Sequence, residues 1–169
     1  MTTLYLVRHG ETIDNAAQIL QGQLPGKLNA TGVAQAEQMA FELKDTSFDA
    51  ILSSDLCRAM DTARIVARPR GMTIETTALL RERDWGDFTG HFIPDLAGLP
   101  FPKNTETMPQ LMARATRFID WVKSKYDGKT VLAVGHGIIN KAILSVYSGA
   151  PMHEILKMTN AEYRVLKLE

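Results

Sequence analysis

Residues 4–12 read Leu4-Tyr5-Leu6-Val7-Arg8-His9-Gly10-Glu11-Thr12. The first four have the apolar, branched and aromatic content of a buried strand, and the run stops at Arg8-His9-Gly10. Such a stop lifts a guanidinium and an imidazole to the edge of a sheet. In open α/β sheets the carboxyl edge is where ligands bind. Gly10 leaves the main chain free to turn and to approach a ligand closely.

Outward from this strand, helical and strand patterns alternate. Asn29-Ala30-Thr31-Gly32 supplies capping residues for a helix over about 31–44, with Val33, Ala36, Met39, Ala40 and Leu43 on its apolar face. A strand follows at 48–53 and a helix at 56–67, closed by Pro69 and Gly71. The pattern continues with a short strand at 72–76 and a long helix at 108–126 that buries Leu111, Ala115, Phe118, Ile119 and Val122. A strand at 129–134, a helix at 138–148, a short helix at 151–157 and a strand at 162–168 complete the chain. This order implies an α/β fold: a three-layer α/β/α sandwich with a mostly parallel central sheet. Residues 84–105 lack periodicity and are rich in Gly and Pro, which reads as a short lid over the site within one domain spanning 1–169.

Bulk composition narrows the function. Nineteen Lys and Arg balance nineteen Asp and Glu, so no global field argues for nucleic acid or an acidic membrane. An anion site must then be a local cluster. The one cysteine, Cys57, cannot form an internal disulfide, and a reducing compartment fits it. Its place in a helical segment reads as a half-buried packing thiol. The apolar stretches fall short of a membrane span, and no signal peptide precedes the first strand, so a cytoplasmic protein is expected.

A second strand ends as the first does, in Gly135-His136-Gly137. In a parallel sheet both histidines reach the same edge. Arg58, near the start of the helix after the second strand, and Glu82, in Leu80-Arg81-Glu82-Arg83-Asp84, complete a set of two His, two Arg and one Glu. No acid stands at a metal-like spacing from either histidine, and no metal or cofactor is expected. Guanidinium forks match phosphate oxygens. An unprotonated imidazole between them can accept a phosphoryl group, and a carboxylic acid can protonate the leaving oxygen. Taken singly, each residue has a plainer role: Arg58 as a helix-surface charge, Glu82 as a solvated loop carboxylate, Glu11 as a dipole partner in the first turn of a short helix.

Leu6-Val7-Arg8-His9-Gly10-Glu11-Thr12 with Asn15 resembles the signature of the histidine phosphatase superfamily, in its phosphoglycerate mutase-like branch. Ser53-Ser54-Asp55-Leu56-Cys57-Arg58-Ala59-Met60-Asp61-Thr62-Ala63 is similar to its second motif. Leu80 to Gly86 with Gly90 is similar to the third, and Val134-Gly135-His136-Gly137 to the fourth. The resemblance implies a phosphoglycerate mutase-like fold, with His9 as nucleophile and phosphohistidine. It implies Arg8, Arg58 and His136 as phosphoryl ligands, and Glu82 as general acid and then base. Gly10, Asn15, Gln21, Gly22 and Gly137 are expected to border the substrate, a small phosphorylated metabolite.

Two departures bear on the activity. Mutases that resemble this chain carry extra basic residues after the third motif, whereas residues 84–105 hold Lys103 alone. That favours a phosphomonoester hydrolase over a mutase-type phosphotransferase or a non-catalytic phosphate-binding module, the two other readings. The short lid is expected to leave an open pocket, in which Trp85, Phe88, His91 and Phe92 are candidates to line the wall. Asn104-Thr105-Glu106-Thr107 matches its family counterpart only loosely, and no role is carried onto Glu106. No pattern in the chain sets an oligomeric state.

Overall fold

Strand β1, Thr2–Arg8, lies between two neighbours. Strand β4, Thr130–Gly135, pairs with it in parallel, and β5, Tyr163–Leu168, pairs antiparallel. Beyond β4 come β2, Ala50–Ser53, and β3, Ile74–Thr76, both parallel, which gives the order β3-β2-β4-β1-β5. These features belong to a computed structural model that describes residues 1–169. From β1 the chain crosses toward the β3 edge, and from β4 it crosses to β5 at the opposite edge. The sheet therefore changes direction between β1 and β4, the position at which open α/β sheets form their ligand crevice.

Alternation along the strands makes two cores. Leu4, Leu6, Val131 and Ala133 face helices α4, Met108–Lys125, and α5, Gly137–Ser148, in one cluster. Val7, Leu132 and Val134 face α2, Ala30–Glu42, and α3, Cys57–Ala67, in the other. The three layers thus follow from strands that are apolar on both sides. A short α1 covers Ile13–Ala16.

Local signals start the helices where the sequence places them. The Asn29 side chain accepts the Gly32 amide at the head of α2. Thr107 and Gln110 exchange side-chain and main-chain bonds at the head of α4. The α4 face that is buried carries Leu111, Ala115, Phe118, Ile119 and Val122, together with Arg114.

Some expectations shift. The strand at 72–76 shortens to Ile74–Thr76, and the helix at 151–157 to a single 3₁₀ turn, Met152–Glu154. Cys57 is exposed, because it opens α3 at the surface instead of packing against it. Glu11 stands before α1, whose first-turn acid is Asp14. The Glu11 carboxylate accepts from the Asn29 side chain instead, at 2.8 Å. No helix is long and apolar enough to cross a membrane.

Candidate active site

His9 leaves the end of β1 almost wholly buried, with 2% of its surface exposed. Its Nδ1 lies 2.6 Å from the Gly10 carbonyl, to which it donates. The ring proton is thereby held on Nδ1, and Nε2 keeps its lone pair. Arg58 Nε–H points at that lone pair from 3.3 Å. Burial, then the Arg58 charge, push the His9 pKa down to about 3. The imidazole is accordingly neutral at physiological pH, the form that can act as a nucleophile.

Gly10 secures this arrangement from behind. Its amide donates to Thr62 Oγ1 at 3.1 Å, and Thr62 in turn donates to the Arg58 carbonyl at 2.9 Å. A Cβ on Gly10 would sit 2.4 Å from the Gly32 carbonyl oxygen, so the main chain of α2 comes as close as a glycine permits. Thr62 thus ties the nucleophile's turn to α3.

Arg58 is 1% exposed and reaches the site from the first turn of α3. Its guanidinium donates to the carbonyls of Gly22, at 2.7 Å, and Leu24. Burial lowers its pKa to about 10, which still leaves it charged at neutral pH. The loop 22–25 is therefore wrapped around a buried cation.

Arg8 donates through Nη1 to the Met158 carbonyl at 2.7 Å, and its buried Nε has no partner. His136 is fully buried, with its ring 5.1 Å from that of His9 between centroids. Its Nε2 is 2.9 Å from Ser54 Oγ. Ser54 Oγ already accepts the Leu56 amide, so its own O–H is free to donate to the imidazole. That leaves Nδ1 of His136 as a buried group without a partner. Burial, with the Arg58 charge, keeps the His136 pKa well below the usual histidine value.

Glu82 stands at the head of α5. It accepts the amides of Arg83 at 2.8 Å, Ile138 at 3.0 Å and Ile139 at 3.0 Å. The N-terminus of a helix stabilises negative charge there. The peptide that carries Glu82 is held by Arg114, 8% exposed on α4. Arg114 donates to the carbonyls of Leu79 at 2.9 Å and Arg81 at 2.6 Å, and grips the Glu106 carboxylate with Nε at 2.9 Å and Nη2 at 2.8 Å. Neither Arg114 nor Glu106 was marked by the sequence. A guanidinium eight positions beyond a loop carboxylate gives no pattern until the helix folds back over the loop.

Arg8, His9, Asn15, Gln21, Gly22, Arg58, Glu82 and Lys157 line a cavity of about 140 Å³, closed on its apolar side by Ile19, Leu20, Trp85, Ile93 and Ile138. Of the expected substrate-bordering residues, Asn15, Gln21 and Gly22 line it; Gly10 and Gly137 do not, Gly137 lying against the Arg8 and Lys157 side chains that do. His136 backs His9 from within the protein. Of the lid aromatics, Trp85 lines the cavity, Phe88 packs on Phe101, and His91 and Phe92 face solvent.

The lid is bonded to the segment that follows α1. Leu20 donates to the His91 carbonyl at 2.9 Å, Gly90 to Leu20 at 2.7 Å and Ile93 to Gln18 at 2.8 Å. These main-chain bonds fasten the segment over the crevice. Lys103 points into a separate surface cleft with Asp84 and Glu106. No group of three His, Cys, Asp or Glu side chains is placed to hold a metal ion anywhere in the chain.

A neutral imidazole among guanidinium groups at a sheet edge is the apparatus of an enzyme that moves a phosphoryl group through histidine. Comparison with known proteins agrees. The family model described as the histidine phosphatase superfamily, branch 1, matches residues 4–169. The uncharacterized phosphatase PhoE of Bacillus subtilis (strain 168) is 36% identical over 166 residues, covering 95% of this chain and 86% of PhoE. The probable phosphoglycerate mutase GpmB of Yersinia pestis (strain Pestoides F) is 33% identical over 168 residues, covering 90% of this chain and 78% of GpmB. The solved structure of mycobacterial glucosyl-3-phosphoglycerate phosphatase with VO3 superposes with a TM-score of 0.87 at 27% identity, over 98% of this chain and 92% of that one. The chain belongs to the histidine phosphatase superfamily, branch 1, and is a phosphatase of the histidine type.

Proposed function

We propose that the chain hydrolyses a small phosphomonoester without a metal ion, through a phosphohistidine on His9. The observation that carries this reading is the neutral His9 Nε2 at 3.3 Å from Arg58 Nε, beside two buried groups without partners, Arg8 Nε and His136 Nδ1. Buried donors are left without partners at a cost, and a phosphoryl group supplies the missing acceptors. In the first step His9 Nε2 attacks phosphorus, the P–O ester bond breaks, and Glu82 gives its proton to the departing oxygen. In the second, water attacks the phosphohistidine, Glu82 takes the water proton, and His9 is restored.

Arg8, Arg58 and His136 hold the phosphoryl oxygens in this scheme, and Asn15 and Gln21 border them. A cavity of about 140 Å³ is well below the ~300 Å³ at which drug-sized sites begin, which suits a phosphoryl group with few carbons. Balanced charge speaks for a metabolite and against nucleic acid as substrate. The exposed thiol of Cys57 suits the reducing cytoplasm, where we place the protein.

Mutase-type transfer is the second reading, favoured by the likeness to GpmB. It would move phosphate between hydroxyls and release none. Incubation with p-nitrophenyl phosphate and alkyl phosphates, without added metal, tests the proposal. Release of inorganic phosphate supports it, and transfer to an acceptor without release overturns it.

A further inference from the structure

Ser54 follows the last residue of β2 and is fully buried. Its amide donates to the Val134 carbonyl at 2.9 Å, which fixes it beside the end of β4. Its hydroxyl oxygen has two contacts. It accepts the amide of Leu56, the N-cap of α3, at 3.2 Å, and it lies 2.9 Å from His136 Nε2. An amide only donates, so the Leu56 contact occupies an oxygen lone pair. The hydroxyl proton remains, and the imidazole is the one partner left to take it. A buried hydroxyl proton needs an acceptor, so the bond runs from Ser54 to Nε2.

The other ring nitrogen is constrained as well. His136 is the N-cap of α5, yet its side chain accepts no cap bond, and the first-turn amides of Ile138 and Ile139 are bonded to Glu82. Nδ1 is buried without a partner. A neutral imidazole whose Nε2 accepts carries its proton on Nδ1. An imidazolium would instead turn an N–H toward Ser54 and leave the hydroxyl proton with no acceptor, at the cost of an unmade buried bond. Burial and the Arg58 charge disfavour that form too.

We infer that Ser54 is a positioning residue that locks His136 in the neutral Nδ1–H tautomer, so that the ring presents a donor, not a lone pair, to a phosphoryl oxygen. The role toward phosphate rests on the hydrolase reading above. Without the Ser54 hydroxyl, Nε2 is free to take the ring proton, and a lone pair on Nδ1 repels the oxygens it should hold. Ser54 itself touches neither phosphorus nor the leaving group.

Nitrogen NMR of isotope-labelled histidine rings reads the tautomer directly, and His136→Asn identifies the His136 signals. In the parent, Nδ1 should be protonated and Nε2 bare. Ser54→Ala should add a population protonated on Nε2, and Ser54→Thr, which keeps the hydroxyl, should remove it. Ser54→Cys, with its weak S–H donor, takes the place of the alanine variant should that protein not fold. Binding of inorganic phosphate, measured by calorimetry, should weaken about 10- to 100-fold in Ser54→Ala, the range for a lost hydrogen bond to a charged group. The kcat/KM values for aryl and alkyl phosphates should fall by a like factor, because both carry the same phosphoryl group. In a His136→Asn background, Ser54→Ala should change phosphate binding by less than about twofold. A parent His136 protonated on Nε2, or on both nitrogens, overturns the inference with no variant needed. So does a Ser54→Ala loss that persists in the His136→Asn background, which would trace the effect to the Leu56 amide and the turn of α3 that carries Arg58. A Ser54-dependent Nδ1–H tautomer in a protein that binds phosphate but releases none from any ester would sink the hydrolase reading and leave Ser54 in its role.

Discussion

Arg58 Nε–H faces the lone pair of His9 Nε2 at 3.3 Å, while the opposite ring nitrogen donates to the Gly10 carbonyl at 2.6 Å. One contact fixes the tautomer, and the other parks a cation against the atom that would attack. In the proposed reaction a phosphoryl oxygen takes over the Arg58 donor and frees the lone pair. Because the cation is already in place and desolvated, little reorganisation accompanies the step.

His9→Ala should remove hydrolysis by several orders of magnitude while the protein stays folded, as loss of a covalent nucleophile does elsewhere. Rapid quench of the parent should trap an acid-labile, base-stable phosphoenzyme that the variant lacks. A folded variant with most of its activity would end the assignment.

Stability should depend on pH through the same residue. In the unfolded chain His9 titrates near 6.5, and in the fold near 3. Between these values the unfolded state binds the extra proton, so stability is complete above about 6.5 and is lost as pH falls toward 3. His136 acts in the same direction, through burial and the Arg58 charge. Replacing His9 by Asn should flatten the slope of unfolding free energy by up to about 1.4 kcal/mol per pH unit in that window. Urea titrations at a series of pH values check this; parallel slopes for parent and variant would refute it.

The sheet edge was legible because β1 and β4 are apolar runs that end abruptly in Arg8-His9 and Gly135-His136, and an apolar run has only one place to go. The buried face of α4 was legible from its spacing. What escaped depends on contacts between segments distant in sequence. Arg114 meets Glu106 only after α4 packs over the loop that carries Glu82. The lid is fastened through main-chain bonds between residues 18–20 and 90–93, which no side-chain pattern encodes. Cys57 was misplaced because helical spacing shows a periodic face, whereas exposure in the first turn of α3 depends on what the loop beside it covers.

Arg114 should prove to be a positioning residue of large effect. Arg114→Met would leave the Glu106 carboxylate buried without its partner and release the carbonyls of Leu79 and Arg81. Breaking a buried pair in this way costs about 3–5 kcal/mol. Denaturant unfolding measures that loss. The surviving folded enzyme should show lowered kcat on alkyl esters, since the peptide carrying Glu82 is no longer held. A loss under ~1 kcal/mol would mean that the clamp contributes little.

Glu82 and Arg58 can be separated by leaving-group chemistry. An alkyl alkoxide departs poorly and needs a proton, whereas nitrophenolate needs it much less. Glu82→Gln keeps the size of the side chain and removes the acid, so it should slow alkyl esters far more than nitrophenyl phosphate. Arg58→Ala should harm both alike, because it removes a contact with the phosphoryl group common to them. The second step could mask the contrast, since Glu82 also serves there as base. Burst rates isolate phosphorylation of His9 from steady-state turnover and remove that ambiguity. Asp84 is the control: its carboxylate is spent on the Gly86 amide at 2.9 Å, in an exposed turn outside the cavity lining. Asp84→Asn should therefore leave the ratio of alkyl to nitrophenyl burst rates as it is in the parent. Equal falls for the two substrates in Glu82→Gln, with a skewed ratio in Asp84→Asn, would move the acid from Glu82 to Asp84.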